Sequence, residues 1–478
     1  MAVQTTTVAR EQLPYRASIS WACALLLAML ALLAPALWNG FPLLQYDTGG
    51  YLARWYEGYL VPSRPGAYGL FLLSGVTHDF WPALLIQAAL TVWMVALVLR
   101  THGYGRRPFL LLGILAALSV LTTLPWIASI LLTDIFVGLA VLAMHLLVFR
   151  AETLRRWEQV ALLLLIAFAG ATHSATLGLL LAMAVVAVVA KLLWRDFIPT
   201  GGASRAAIAA VLCVAMTFAA NFAIADRLAW TPGGYGILFG RMLQQGLVIR
   251  YLDKHCATTA FKLCPYRREL PRDADAFLWG ESVFNKLGRF DGLGDEMRTI
   301  VLGTLKEFPL EQIEGAIAGT AKQLISVGTG EGVVNSIWHT YAIVKRYAPA
   351  AAPAMQAARQ QQGHISLRLI NRIHIPIALL CLALLPVWIM LGLRRSASAD
   401  FGRLATTVTV AVLLNAAVCG GLANPHNRYG ARIVWIAGMV GLLGVVRMVE
   451  SRRQPATNIG VLGIPSTTVL NAGEAASN

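Results

Sequence analysis

Ten apolar stretches of near-bilayer length, separated by polar segments, constrain this chain more than any other feature. A bilayer core about 30 Å thick takes about 20 helical residues to cross. Stretches of this kind stand at roughly 18 to 37, 80 to 99, 108 to 124, 129 to 149, 158 to 172, 174 to 194, 206 to 228, 373 to 393, 404 to 423 and 431 to 447. The balance of residues agrees: 57% are hydrophobic and 13% charged, against about 25% charged in an ordinary soluble domain. The expected class is an α-helical polytopic membrane protein of about ten transmembrane helices.

The chain carries 39 Lys and Arg against 24 Asp and Glu. These basic residues lie between apolar stretches and form no single basic face or arm, so the excess points to topology and not to nucleic acid. With a cytoplasmic N-terminus, alternate short loops hold Arg10 and Arg16; Arg100, Arg106 and Arg107; Arg150, Arg155 and Arg156; Arg195 and Arg205; Arg394, Arg395 and Arg403; Arg447, Arg452 and Arg453. The short loops of the other side hold only Arg54, Arg64 and Arg428. Positive residues stay on the inner side, so both termini are expected in the cytoplasm and the protein in a bacterial inner membrane. The apolar run of the first stretch, Trp21 to Trp38, exceeds the usual core of a cleaved signal peptide.

This topology divides the chain into an N-terminal transmembrane bundle (1–228) with a first outer loop at 38–79, a mainly helical periplasmic domain (229–372) between the seventh and eighth spans, C-terminal transmembrane helices (373–453), and a disordered cytoplasmic tail (454–478). The 144 residues of the outer segment are too many for an unstructured connection, so it should fold. Within it, Cys256 and Cys264 fall on the oxidising side, where a local disulfide is expected; the other reading is a metal pair, to which His255 adds one nearby ligand. In the first loop, TGGYLARWYEGYL spaces its aromatics as a helix lying in the membrane interface would. SRPGAYGLFLLSGVTH should form a short or re-entrant helix ending near His78.

The polar residues in tight turns and helix ends are the chemically informative ones. Asp47 follows the first span among Tyr46, Gly49 and Gly50. Arg64 precedes Pro65, Asp134 lies one to two turns into the fourth span, His173 marks the turn between spans five and six, and the last outer turn, ANPHNRYGARI, carries Asn424, His426, Arg428, Tyr429 and Arg432. Ionisable groups at such depths usually mark a cavity or a substrate path. Each also has a plain structural reading: Asp47 as a helix cap, Asp134 as the partner of a buried arginine, His173 as a hairpin cap, Arg64 and Arg428 as side chains reaching lipid phosphates.

Four of these stretches together, YDTGGYL with Asp47, RPGAYGLF opening with Arg64, LLTDIFVGLA with Asp134 and ANPHNRYGARI with Arg428, resemble the GT-C superfamily of polytopic membrane glycosyltransferases. The resemblance covers roughly the first 150 residues and the last few helices, and is stronger in layout than in letters. It implies sugar transfer from a polyprenyl-phosphate-linked sugar, or the diphosphate, to a lipid or glycan acceptor among the membrane lipids. Asp47 would be the general base, with Asp134 beside it as a second catalytic acid that binds hydroxyls or orients Asp47. Arg428 and then Arg64 would bind the leaving phosphate, with Asn424, His426, Tyr429 and His173 contributing to substrate binding. No Asp-x-Asp pair stands in the first loop and no WWDYG-type signature occurs, so no cofactor is required by this reading and a divalent metal is an alternative. An O-antigen-type polymerase or ligase would rest on outer arginines without the Asp47 acid. A lipid-linked sugar flippase or transporter would use polar groups within spans, for which Gln87, His145, Lys191, Asn221 and Asn415 are the candidates.

Overall fold

The computed structural model describes residues 15–231, 234–394 and 398–453; the tail at 454–478 and the polar N-terminal stretch up to residue 14 lie outside them. Among the described residues the secondary structure is helical, with only two isolated bridges, Leu43 to Ile130 and Val61 to Arg64. The first half holds α1 (Tyr15–Asn39), α2 (Tyr46–Glu57), α3 (Ala67–Leu73), α4 (Trp81–Leu99), α5 (Pro108–Leu121), α6 (Leu124–Ala128), α7 (Ile135–Phe149), α8 (Arg156–Thr172), α9 (Ser174–Leu193) and α10 (Gly202–Ala225). The outer segment holds α11 (Gly234–Gln244), α12 (Leu247–His255), α13 (Ala274–Leu278), α14 (Val283–Lys286), α15 (Arg289–Glu307), α16 (Pro309–Ile325), α17 (Trp338–Tyr347) and α18 (Ala352–Ala357). The chain closes with α19 (Arg368–Leu393), α20 (Ala399–Ala416) and α21 (Asn427–Arg453).

Seven of these, α1, α4, α9, α10, α19, α20 and α21, are long and apolar enough to cross a membrane. The other three expected spans are shorter: α5 has 14 residues, α7 has 15, and α8 has 17 with Arg156 and Glu158 in its first turn. The far ends of α4, α7 and α21 meet the starts of α8, α20 and α5 in turn through ion pairs. Arg100 grips Glu158 with bonds of 2.8 and 2.6 Å, Arg150 pairs with Asp400, and Arg107 with Glu450. Many of the arginines that set the expected orientation thus gather at one end of the bundle.

The fourth expected span does not begin at residue 129. Residues 129 to 134 are non-helical and almost wholly buried, and α7 starts only at Ile135, so Asp134 stands at the head of the helix and not one to two turns inside it. Backbone groups buried without helical partners must find others. Here the Leu43 N–H donates to the Ser129 carbonyl at 2.9 Å, and the Leu131 N–H donates back to the Leu43 carbonyl at 3.0 Å. The Gln87 side-chain amide donates to the Ala128 and Ile130 carbonyls at 3.2 and 3.1 Å, and the Thr48 hydroxyl to the Leu131 carbonyl at 2.9 Å. The unwound stretch is therefore fastened to both α4 and the first loop.

That loop is built as expected in outline and differently in orientation. The helix read at 48–60 is α2, but its Tyr51, Leu52 and Arg54 are buried instead of lying against lipid headgroups. Tyr51 meets Tyr68 of α3 edge-on at 5.2 Å, and α17 closes over the other side at Gly49. The short helix read after Arg64 is α3, followed by a single turn at Val76–His78.

The outer segment is not one unit. Its own hydrophobic core, around Phe239, Phe277, Phe284 and Met297, draws only on α11 to α15, whereas Ile337, Val344, Ala351 and Met355 of the later part belong to the core of the helical bundle. The reason lies in the sequence after Pro309: α16 lays its small face on α20 and α21, and the rest of the segment runs over α2. Cys256 and Cys264 form the expected disulfide at the end of α12.

Gln87, His145, Lys191, Asn221 and Asn415, the candidates within the spans, are each engaged. Asn221 bonds to the Ala229 and Trp230 carbonyls, Lys191 to those of Arg195 and Ile198, His145 to Thr407, and Asn415 to the Tyr429 carbonyl and to Arg432. Gln87 is the most consequential, because Gln87→Leu would strand two buried carbonyls at about 1–3 kcal/mol each. The expected outcome is a lowered thermal midpoint in detergent, with helical content retained below it, as read by circular dichroism.

Candidate functional site

Gly40, in the left-handed region at φ +81°, turns the chain out of α1, and Gln45 then caps α2: its side chain accepts from the Asp47 N–H at 2.7 Å, while its own N–H donates to Thr48 at 3.0 Å. This box fixes Asp47 in the first turn of α2, where the helix dipole favours a negative charge. Its two carboxylate oxygens take different arginines. Arg64 Nη2 lies 2.7 Å from Oδ1, and Arg428 Nη1, from the first turn of α21, lies 2.8 Å from Oδ2. Arg428 Nε reaches in the opposite direction to Asp134 Oδ2 at 2.7 Å. A single guanidinium thus joins the first loop, the unwound stretch before α7 and the last helix.

Arg432, one turn further along α21 and fully buried, comes within 3.9 Å of Asp134 Oδ1 and is held by Asn415 at 2.8 Å and by the Cys419 sulfur at 3.1 Å. Three guanidinium groups therefore face two carboxylates, leaving the cluster positive. Arg54 adds a fourth, buried beneath the loop, with Nε on the Gly50 carbonyl at 2.6 Å and Nη1 on that of Arg64. Arg54 Nη2, Arg64 Nε and Arg428 Nη2 are buried N–H donors with no acceptor among the described residues. Such donors suit an anionic ligand with several oxygens.

The cluster forms part of the wall of a cavity of about 1020 Å³. Asp47, Arg54, Arg64, Arg428 and Tyr429 line its membrane side; Asp275, Trp279, Glu281 and Asn285 of the outer segment line the opposite side, with Glu331 and His426 between. Trp279 lays its ring 4.8 Å from the Arg64 guanidinium. His426 joins the two sides, with Nε2 at 3.1 Å from Asp275 and Nδ1 at 3.0 Å from Glu331, whose other oxygen accepts from the Arg428 N–H at 2.8 Å.

The residues expected at the site divide by depth. Asp47, Arg64, His426, Arg428 and Tyr429 line the cavity, and Asp134 lies just behind it, 2% exposed and bonded through Arg428. His173 is buried and off the wall. Its Nδ1 accepts from the Ala175 N–H at 3.2 Å to cap α9, and its ring lies 6.4 Å from that of Tyr429. Asn424 is half-buried and not on the wall either. Arg54, Asp275, Trp279 and Glu331 were not anticipated: Arg54 is masked by an aromatic-rich helix, and the others lie in the outer segment, where no sequence pattern marks them. Among the described residues no group of three His, Cys, Asp or Glu side chains is placed to hold a metal ion. Comparison with family models, curated proteins and solved structures yields no match for this chain.

Electrostatics follows from these contacts. Burial alone would raise the Asp47 carboxyl, but Arg64 and Arg428 outweigh it and hold the group well below the usual carboxylate range. Burial would lower His426, yet its bonds to Asp275 and Glu331 push it up to about 9 from 6.5. A histidine raised on folding stabilises fully below its unfolded pKa, and that contribution is lost as pH rises through the folded value. The bridge between α13 and the start of α21 should therefore be intact near pH 6 and weaken as pH climbs past about 9. With the base-catalysed rise of intrinsic exchange divided out, the protection of Ala274–Leu278 should fall at high pH, and His426→Gln should remove that remaining dependence.

Proposed function

We propose that this chain is a GT-C-like glycosyltransferase, moving a sugar from a polyprenyl-phosphate or diphosphate donor to a lipid or glycan acceptor at the outer face of a bacterial inner membrane. The observation that carries the reading is the meeting of Asp47, Arg64, Asp134 and Arg428, from three distant parts of the chain, within bonds of 2.7 to 2.8 Å at the wall of one cavity. The Cys256–Cys264 disulfide, on the same side of the chain's topology, supports an oxidising outer compartment. Ten crossings with both termini inside are part of the proposal. The stretch 129–134 together with α7, α5 with the residues after it, and α8 add the three shorter passes to the seven long ones.

In this reading the donor phosphate competes with Asp47 for Arg64 and Arg428. As the guanidinium groups turn to phosphate oxygens, the Asp47 carboxylate loses its two restraining charges and its proton affinity rises. It then takes the proton of the acceptor hydroxyl as that oxygen attacks the anomeric carbon. The bond from that carbon to the phosphate oxygen breaks, and the polyprenyl phosphate leaves with the electron pair, its added charge held by Arg428 and Arg64. Asp134 keeps Arg428 oriented throughout, a positioning role. His426, charged at neutral pH, braces the two sides of the cavity through Asp275 and Glu331.

The firm pairing of Asp47 with two arginines also favours a second reading, in which the arginines do the work and the acid only orders them, as in an O-antigen-type polymerase or ligase. A flippase would draw on the polar groups within spans, but those have the local partners described above. The two enzymatic readings part on one pair of variants, assayed with a panel of short-chain polyprenyl-phosphate sugars in nanodiscs. Asp47→Asn should lower transfer by roughly 10²- to 10⁴-fold, the range of general-base catalysis, without changing membrane insertion or the disulfide. Arg428→Ala should also abolish it. Robust transfer by Asp47→Asn alongside an inactive Arg428→Ala would remove the base assignment and leave the arginine-centred reading.

A further inference from the structure

The helix α16 carries an apolar face that points away from the protein. Leu310, Ile313, Ile317 and Ile325 are 76%, 58%, 65% and 65% exposed, and with Ala318 and Ala321 they form a stripe along the helix, interrupted near its start by exposed Glu314 and flanked near its end by exposed Lys322. A water-facing helix would place polar side chains there, and α15, just before it, buries its Met297 and Ile300 in the outer core.

The opposite face of α16 is fastened to helices that are long and apolar enough to span a membrane. Gly319 and Gly420, just past the end of α20, approach so closely that a Cβ on either would sit 2.1 or 2.3 Å from the other's carbonyl oxygen. Only glycine permits that backbone contact. Four residues on, the Gln323 side chain donates to the His426 carbonyl at 2.8 Å and accepts from the His426 N–H at 2.9 Å.

The chain then dives between helices. Val327 packs against Ala378 of α19 and Val434 of α21, and Val434 lies roughly 10 Å along α21 from its start at 1.5 Å per residue. Thr329 bonds to Asn371 and His374 of α19 before the chain returns to the cavity at Glu331. Leu413 on α20 and Leu422 after it, on the helix end against which α16 packs, are themselves exposed apolar side chains. At the other end, Glu311 pairs with Arg250 of α12 at 3.6 Å, and Glu314 is exposed one turn from the start of the helix. The N-terminal end of α16 therefore belongs at headgroup level.

We propose that α16 is a re-entrant helix of the outer leaflet and that its Leu310 to Ile325 stripe is covered by the acyl chains of the bilayer. Lipid then sets the depth of the helix whose Gln323 clamps the His426 turn, and whose following loop brings Glu331 to the Arg428 N–H. The inference needs only that the long apolar helices span a membrane, so it stands or falls apart from the proposed reaction.

The test uses the full chain in nanodiscs of phosphatidylethanolamine and phosphatidylglycerol, with the four cysteines outside the disulfide replaced by serine. A nitroxide is attached to Ile317→Cys and, as a solvent reference, to Asp295→Cys on the exposed side of α15. The label at 317 should be relaxed by oxygen and shielded from a water-soluble nickel chelate, and the label at 295 should behave in the reverse way. Nickel access at 317 equal to that at 295 would overturn the proposal. So would shielding from both relaxants, which would mean that a second copy of the chain or another protein covers the stripe. A label at Ile313→Cys gives an independent reading should the first disturb insertion.

Discussion

The pairing of Asp47 and Asp134 through Arg428 is the interaction on which the rest of this structure depends. Charged groups taken out of water are costly unless they meet opposite charges in good geometry, and breaking such a pair leaves an uncompensated charge behind. Here one side chain satisfies two carboxylates with bonds of 2.7 and 2.8 Å, and the two carboxylates come from segments far apart in the sequence. The first loop, the unwound stretch and the start of α21 are thereby given fixed positions relative to one another. The hydrophobic helices provide the frame, but they do not by themselves choose which turns meet.

Around that junction the structure spends its polar groups in two ways. Gln87, Thr48 and the backbone of Leu43 serve the buried stretch before Asp134, so that an acid can stand at a helix start without exposing peptide groups to an apolar surrounding. Arg54, Arg64 and Arg428 keep N–H donors that no protein acceptor uses. The first kind of group holds the site; the second kind leaves hydrogen-bonding capacity unused beside the cavity. The arginine cluster faces Asp275, Glu281 and Glu331 across the cavity, so groups of opposite charge stand on its two sides.

Much of this was legible in the sequence, for reasons that can be traced to particular residues. Hydrocarbon-length runs and the distribution of arginines placed Asp47, Arg64, Asp134 and Arg428 at one end of the bundle, and polar groups at that depth rarely stay apart. Three things were not legible. The break before Asp134 is set by distant partners, Leu43 and Gln87, and leaves no local signal in an apolar run. Arg54 lies among aromatics whose spacing suits an interfacial helix, and only the packing of α17 and α3 turns it inward. The contribution of Asp275, Trp279 and Glu331 depends on how the outer segment folds over the cavity, and single acidic or aromatic residues there look like any others.

The reach of Arg428 across the chain also bears on how the molecule comes into being. It bonds to a residue 381 positions earlier, so during synthesis Asp47 has only Arg64, its neighbour in the same loop, as a cationic partner for nearly the whole of translation. The unwound stretch with its second acid must likewise wait for the closing segment. The polar centre is therefore assembled last, from parts inserted first, and a chain that stops short of its final helix has every framework helix but this one and no working junction between them.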